Sequence, residues 1–139
     1  MPNLRIIYKN IADMATISAS STAGSLTASN MQNDIKGKVH RSTGLTVTYT
    51  LTWPTVQKLT AVCLPAHNLS QNAIITVNLY TDPAATILAA TSGAKIAAPG
   101  STNMWNWSPP LNANTFAFGG VNKTTVWFTQ EYSNIRAVK

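Results

Sequence analysis

Carboxylates are the scarcest chemistry in this chain: Asp13, Asp34, Asp82 and Glu131 are all that its 139 residues hold. No two of them lie close in sequence, so no local pair is set up for acid–base work, although folding can pair distant ones. A calcium site wants several oxygen ligands with carboxylates among them, and this inventory hardly concentrates enough. Histidine is equally rare. His40 and His67 stand far apart, with no cysteine or acid at metal-ligand spacing, so no zinc motif is present. No metal and no cofactor are expected.

One cysteine excludes an internal disulfide. Cys63 lies inside the apolar segment Leu59–Leu64 and reads as a small buried hydrophobe. A Cys63–His67 dyad is conceivable from the spacing, but a thiol buried in a strand reacts poorly. His67 itself falls at a turn, where a surface side chain is the ordinary reading. Neither a glycine-rich phosphate loop nor a nucleophile elbow occurs. These absences together lead to the expectation that the protein is not an enzyme.

Charge is also thin, at 10% of residues against ~25% in an ordinary soluble domain. The formal net charge is nevertheless +6. Lys36, Lys38 and Arg41 form the only local basic cluster, with His40 beside them and Asp34 just before. The other basic residues are spread singly, whereas tracking a phosphate backbone needs a contiguous stripe. Those three residues are a candidate basic patch, and nucleic acid is not an expected partner. The segment Met1–Lys9 has no apolar run long enough for a signal peptide or a membrane span, which predicts cytoplasmic synthesis without export. The sequons at Asn68 and Asn122 are then coincidences of composition.

What the chain has in quantity is small polar residues. Its 19 Thr, 11 Ser and 13 Asn outnumber the 14 charged residues three to one. Threonine suits a pleated, half-exposed surface, and Asn and Ser suit turns. The sharpest expression is residues 45–53, Leu-Thr-Val-Thr-Tyr-Thr-Leu-Thr-Trp. Side chains on a strand alternate faces, so Leu45, Val47, Tyr49, Leu51 and Trp53 are expected to share a buried face opposite the threonines. Pro54 closes that strand.

Further strands are expected at Leu4–Tyr8, Ala15–Ala19, Leu59–Leu64, Ala73–Tyr80 and Thr124–Phe128, with another beginning at Asn134–Val138. Ala84–Ala98 has two readings. Asp82 as a cap with Pro83 in the first turn would start a helix, whereas Ser92-Gly93 divides the segment into the arms of a small hairpin, the favoured reading. Trp53 and Trp127 are expected in the core. Trp105 and Trp107 sit in a long connection rich in Pro and Asn. They either fold back to cap the fold or serve as contacts for a protein partner or a glycan.

Short strands with turn signals every eight to twelve residues predict a single all-β domain over 1–139, an antiparallel β-sandwich. A sandwich that stops at Lys139, just after a strand begins, would leave an open edge. Either the chain is a fragment of a longer protein or a neighbouring chain covers that edge.

The order Asn3-Leu4-Arg5-Ile6, Ala15-Thr16-Ile17-Ser18-Ala19-Ser20-Ser21, Ala28-Ser29-Asn30-Met31-Gln32-Asn33-Asp34 and Arg41-Ser42-Thr43 resembles the start of certain tailed-bacteriophage virion proteins. Those proteins look like galactose-binding-like, discoidin-type jelly rolls. The strands from Leu45 to Tyr80 and the late Trp105 fall in the order that the group shows. Two features differ: His40 stands where that group has a tryptophan, and the group continues past a segment like Asn134–Lys139 with further strands. The resemblance implies a jelly-roll module in a virion, near the tail or baseplate, whose partners are other virion proteins in a homo- or hetero-oligomeric assembly. Jelly rolls of this type sometimes bind glycans, which makes host-surface adhesion the alternative, although no sugar-binding residue set carries over.

Overall fold

The threonine-rich alternation becomes a strand, but later than its first apolar residue and without stopping at its proline. The computed structural model describes residues 6–33, 35, 37–70, 72–97 and 124–139. Among them are seven strands: β1 (Thr16–Ala19), β2 (Tyr49–Leu64), β3 (Ile74–Ile75), β4 (Asn78–Tyr80), β5 (Leu88–Thr91), β6 (Lys95–Ile96) and β7 (Thr124–Val138). The only helical segments described are two short 3-10 turns, Ala12–Met14 and Ala28–Gln32. Five strands form an antiparallel sheet in the order β1-β2-β7-β4-β5, and β3 pairs with β6 in a second sheet. The chain is all-β, as its composition predicts, and its sheets are consistent with the sandwich class.

Two compact units divide the chain: Met1–Lys58 with Asn78–Ala90 and Tyr132–Lys139, and Leu59–Val77 with Thr91–Glu131. In the first unit, β1 pairs with β2 from Thr16↔Thr52 to Ala19↔Tyr49. Just past that ladder, Ser20 and Thr48 exchange bonds through the Ser20 N–H and hydroxyl. Beyond Thr48 there is no described partner strand, so Leu45–Thr48 is not strand and Leu45 is fully exposed. The expected burial of Leu45 therefore fails, while Val47, Tyr49 and Leu51 are half-buried and Trp53 is in the core at 3% exposure.

Pro54 does not end β2. β1 reaches only to Thr52, so by Pro54 one side of β2 has no β1 residue to bond, and a missing N–H costs little there. The two expected strands on either side of the proline are one 16-residue strand. The same holds at the C-terminus, where Thr124–Phe128 and Asn134–Val138 belong to a single β7. That strand lies between β2 and β4 in the sheet order, with Val138 paired to Leu79 and Lys139 exchanging both backbone bonds with Asn78. The open C-terminal edge expected from the sequence is thus a paired interior strand.

The described part of the segment, 84–97, holds strands and no helix, but β5 and β6 are not arms of one hairpin. β5 follows β4 in the large sheet, whereas β6 pairs with β3 through Ile74↔Ile96 and Ile75↔Lys95. Asp82 does not cap a helix. Its carboxylate accepts the N–H of Ile87 at 2.7 Å and both the N–H and hydroxyl of Thr86, closing the β4–β5 turn. Those bonds, the Ile87 N–H foremost, hold the Asp82 carboxyl below the usual carboxylate range. The turn forces Ala85 to a φ of +55°, a left-handed conformation that disfavours a Cβ by ~1–2 kcal/mol, while burying its methyl group.

Three further expectations are corrected. Ile6–Tyr8 is neither strand nor core but lies exposed (Leu4 and Arg5 fall outside the described residues). Trp127 is 39% exposed because Val126 and Phe128 take the buried face of β7, and alternation turns the residue between them outward. Cys63 is exposed as well, although it lies in phase with buried Leu59 on β2, so the strand's buried face does not reach its end.

Candidate interaction surface

Trp105, Trp107 and Lys36 lie outside the described residues. Lys38 and Arg41 are both exposed, and their segment is tied down by its backbone. Arg41 accepts from Ala23 N–H at 2.7 Å and donates to the Leu26 carbonyl, and the Asn30 amide donates to the Val39 carbonyl. His40, between the two cations, anchors the segment from within. Its Nε2 faces the Ser21 carbonyl at 3.1 Å, which can only accept, so Nε2 carries the proton. Nδ1 then accepts from the Tyr49 hydroxyl at 2.7 Å, with the two rings edge to face at 5.1 Å. Burial pushes the Tyr49 phenol up, which keeps that hydroxyl a donor. The geometry makes His40 a clasp between the basic segment and β2.

In the second unit, Cys63 and His67 do not act on one another. Cys63 Sγ accepts from the Thr125 hydroxyl, and His67 joins a separate relay. The Leu69 N–H points at His67 Nδ1, so Nδ1 is the acceptor and Nε2–H donates to Thr124 Oγ1 at 2.8 Å. The Thr124 hydroxyl in turn donates to the Ala97 carbonyl. This relay contains no carboxylate. It joins the loop after β2 to the start of β7 and the end of β6.

The relay uses neutral imidazole on both nitrogens, and burial lowers the His67 pKa from its ordinary 6.5 against the smaller raising effect of a backbone bond. The folded state then binds a proton less readily than the unfolded chain. Its contribution is full above the unfolded pKa and is lost as pH falls through the lower folded one. Urea midpoints taken from about pH 7.5 down to about pH 5 are expected to fall, with the steepest loss below ~6.5. His67→Gln is expected to flatten that part of the curve, and an unchanged slope in the variant would remove His67 as its source.

Among the described residues no cluster of three or more His, Cys, Asp and Glu could hold a metal ion. What the described surface offers instead is apolar area. Ile6, Tyr8, Ile87 and Leu88 in the first unit are 71%, 92%, 61% and 54% exposed. In the second, Ile74 and Ile96 sit directly opposite each other on β3 and β6, both largely exposed. Directly opposed side chains on one sheet face lie close enough to touch, so the pair forms a continuous apolar spot. The sequence marked these residues only as strand formers, since apolar runs announce burial somewhere without saying in which molecule. No helix among the described residues is long and apolar enough to cross a membrane.

No protein-family model matches the chain, and neither a curated protein nor a solved structure gives a significant match.

Proposed function

We propose that this chain is an assembly module of a bacteriophage virion, a tail- or baseplate-associated sheet domain that works by burying its surface against other virion proteins. The observation that carries the reading is the exposure of large apolar side chains such as Ile6, Tyr8, Ile74, Ile87 and Leu88 on a chain with only 10% charged residues. Exposed apolar side chains are ordinary singly, but an aliphatic pair facing solvent on a sheet fits a surface completed by a neighbour. The order of the Ser-Ala-Ser, Ala-Ser-Asn-Met and Arg-Ser-Thr segments supports placing that neighbour in a tailed-phage particle. Within this reading the module is a jelly roll and performs no catalysis.

The test is compositional. Particles of the phage that encodes the chain, purified through a density gradient and analysed by mass spectrometry, are expected to contain it in a fixed ratio to the tail proteins. Its absence from such particles would overturn the reading. A glycan array run with the wild type and with a Trp105→Ala, Trp107→Ala double variant separates the adhesive alternative. Signal lost in the variant would favour glycan binding over a purely structural role.

A further inference from the structure

We infer that His67 is an acid-sensitive latch: a second proton on its ring breaks the Leu69 contact and frees the loop after β2 from β6 and β7 while the strands stay folded. The device is a chain of hydrogen bonds with one possible direction. It starts at the Leu69 N–H, which donates to His67 Nδ1 at 3.3 Å. His67 Nε2–H donates to the Thr124 hydroxyl at 2.8 Å, and that hydroxyl donates to the Ala97 carbonyl. The Ala97 N–H continues to the Ala73 carbonyl at 2.8 Å, and the Ala73 N–H to the Ser70 carbonyl at 3.1 Å. The chain of bonds thus leaves the loop at Leu69 and returns to it at Ser70, having passed through the first residue of β7 and the residue after β6.

The backbone sets that direction. An amide N–H can only donate and a carbonyl can only accept, so the ring between Leu69 and Thr124 has to offer one lone pair and one N–H. Neutral imidazole with its proton on Nε2 fits. A charged ring carries a proton on Nδ1 as well, which points at the Leu69 N–H, and two donors then face each other. The imidazole is rigid, so a rotation that takes Nδ1 away from Leu69 also moves Nε2 off Thr124.

His40 shows the contrast. There the partner of Nδ1 is the Tyr49 hydroxyl, which turns and accepts as readily as it donates. A charged His40 keeps its bonds to Tyr49 and to the Ser21 carbonyl. Of the two histidines, His67 alone has an Nδ1 partner that cannot reverse.

Besides His67, the described charged and titratable residues of the second unit are Cys63, Lys95 and Glu131. Cys63 takes the Thr125 hydroxyl, Lys95 lies exposed opposite Ile75, and Glu131 stands further along β7. Neither nitrogen of the ring is bonded to any of them. Burial is what lowers the His67 pKa, and no neighbouring charge is among the causes. Once the loop opens, the ring takes a proton in the ordinary range near ~6.5, so opening and proton uptake are linked. The buried side chains of Trp53, Leu79 and Ile135 belong to the first unit and take no part in the relay. The latch stands whether or not the chain belongs to a virion.

A titration from about pH 7.5 to about pH 5, followed by proton–nitrogen correlation NMR, tests it. Ring nitrogen shifts are expected to show the Nε2–H tautomer at the upper end. The Leu69 and Thr124 amide signals are expected to move on the same curve as the His67 ring, while those of Leu79 and Val138 keep their native positions. Exchange of the Leu69 amide with solvent, corrected for its intrinsic pH dependence, is expected to quicken by up to ~10-fold per pH unit below ~6.5, one proton being taken up. His67→Asn keeps an acceptor for the N–H two residues on, as Asn33 does for the Ile35 N–H at 2.8 Å, and has no titrating ring. Its Leu69 signal is expected to stay fixed across the range. A proton on Nδ1 at the upper end, a Leu69 signal that does not follow the ring, one that still titrates in His67→Asn, or loss of the whole native spectrum in step with the ring would each overturn the proposal. The wild-type titration supplies all but one of those readouts should the variant fail to fold.

Discussion

Trp53→Ala is expected to cost the first unit ~3–5 kcal/mol, the largest loss of any single truncation in β2. The indole is 3% exposed and occupies the buried face of that strand. Its Nε1–H donates to the Ile11 carbonyl, so removing the ring also frees the start of the ladder-forming segment Thr16–Ala19 from its anchor. Total stabilities of domains run only ~5–15 kcal/mol, which puts the variant near unfolding at room temperature. Trp53→Phe keeps most of the apolar volume and removes only the donor. Its expected cost is ~1–2 kcal/mol, because the half-buried Ile11 carbonyl loses its partner. Urea denaturation followed by far-UV circular dichroism reads both values. A Trp53→Ala variant within ~1 kcal/mol of wild type would mean that the ring is not a core element.

Trp53 was legible because alternation and a large aromatic agree at that position. The strand's limits were not, and the reasons are physical. Side-chain alternation reports burial, whereas a strand's length is set by the backbone it bonds to. Leu45 and Val47 alternate as well as Tyr49 and Leu51 do, but the described part of β1 ends at Ala19 opposite Tyr49. The converse error occurs in the middle of β2 and β7. Pro54–Val56 and Thr129–Glu131 are exposed and read as breaks, yet the strands run on, since a hydrogen-bonded ladder needs no apolar side chain.

Burial on β7 even changes phase. Val126 and Phe128 are buried on even positions, then Ile135 and Ala137 on odd ones. A period-two pattern that slips by one residue looks like two strands. Pairing across sheets is still less legible. Nothing in Ile96 names Ile74, more than twenty residues earlier, over the nearer β5. The candidate surface follows the same rule. Ile6, Ile87 and Leu88 have the composition of core residues, and only the fold shows that they lie exposed.

Ile135→Ala and Leu79→Ala are each expected to destabilise the first unit by ~2–5 kcal/mol, and their costs are expected to add. Both side chains have 0% exposure and are the largest fully buried ones in the described structure. They lie on opposite faces of the sheet. Leu79 is directly opposite Val138, so those two share one face, while Tyr80 and its partner Ala137 share the other with Ile135. Cα positions three residues apart along a strand, with one strand spacing between, are ~10 Å from each other, and the sheet separates the two side chains. Two cavities with no common lining relax independently, so the double variant should lose ~4–10 kcal/mol, about the whole stability of a domain. Urea midpoints of both single variants and the double, with m-values checked for constancy, measure the coupling directly. A double-variant cost well below the sum would place the residues in one shared cavity and contradict the two-sided burial of β4 and β7. Ile135→Ala alone leaving the midpoint unchanged would show that only one face of that sheet is packed.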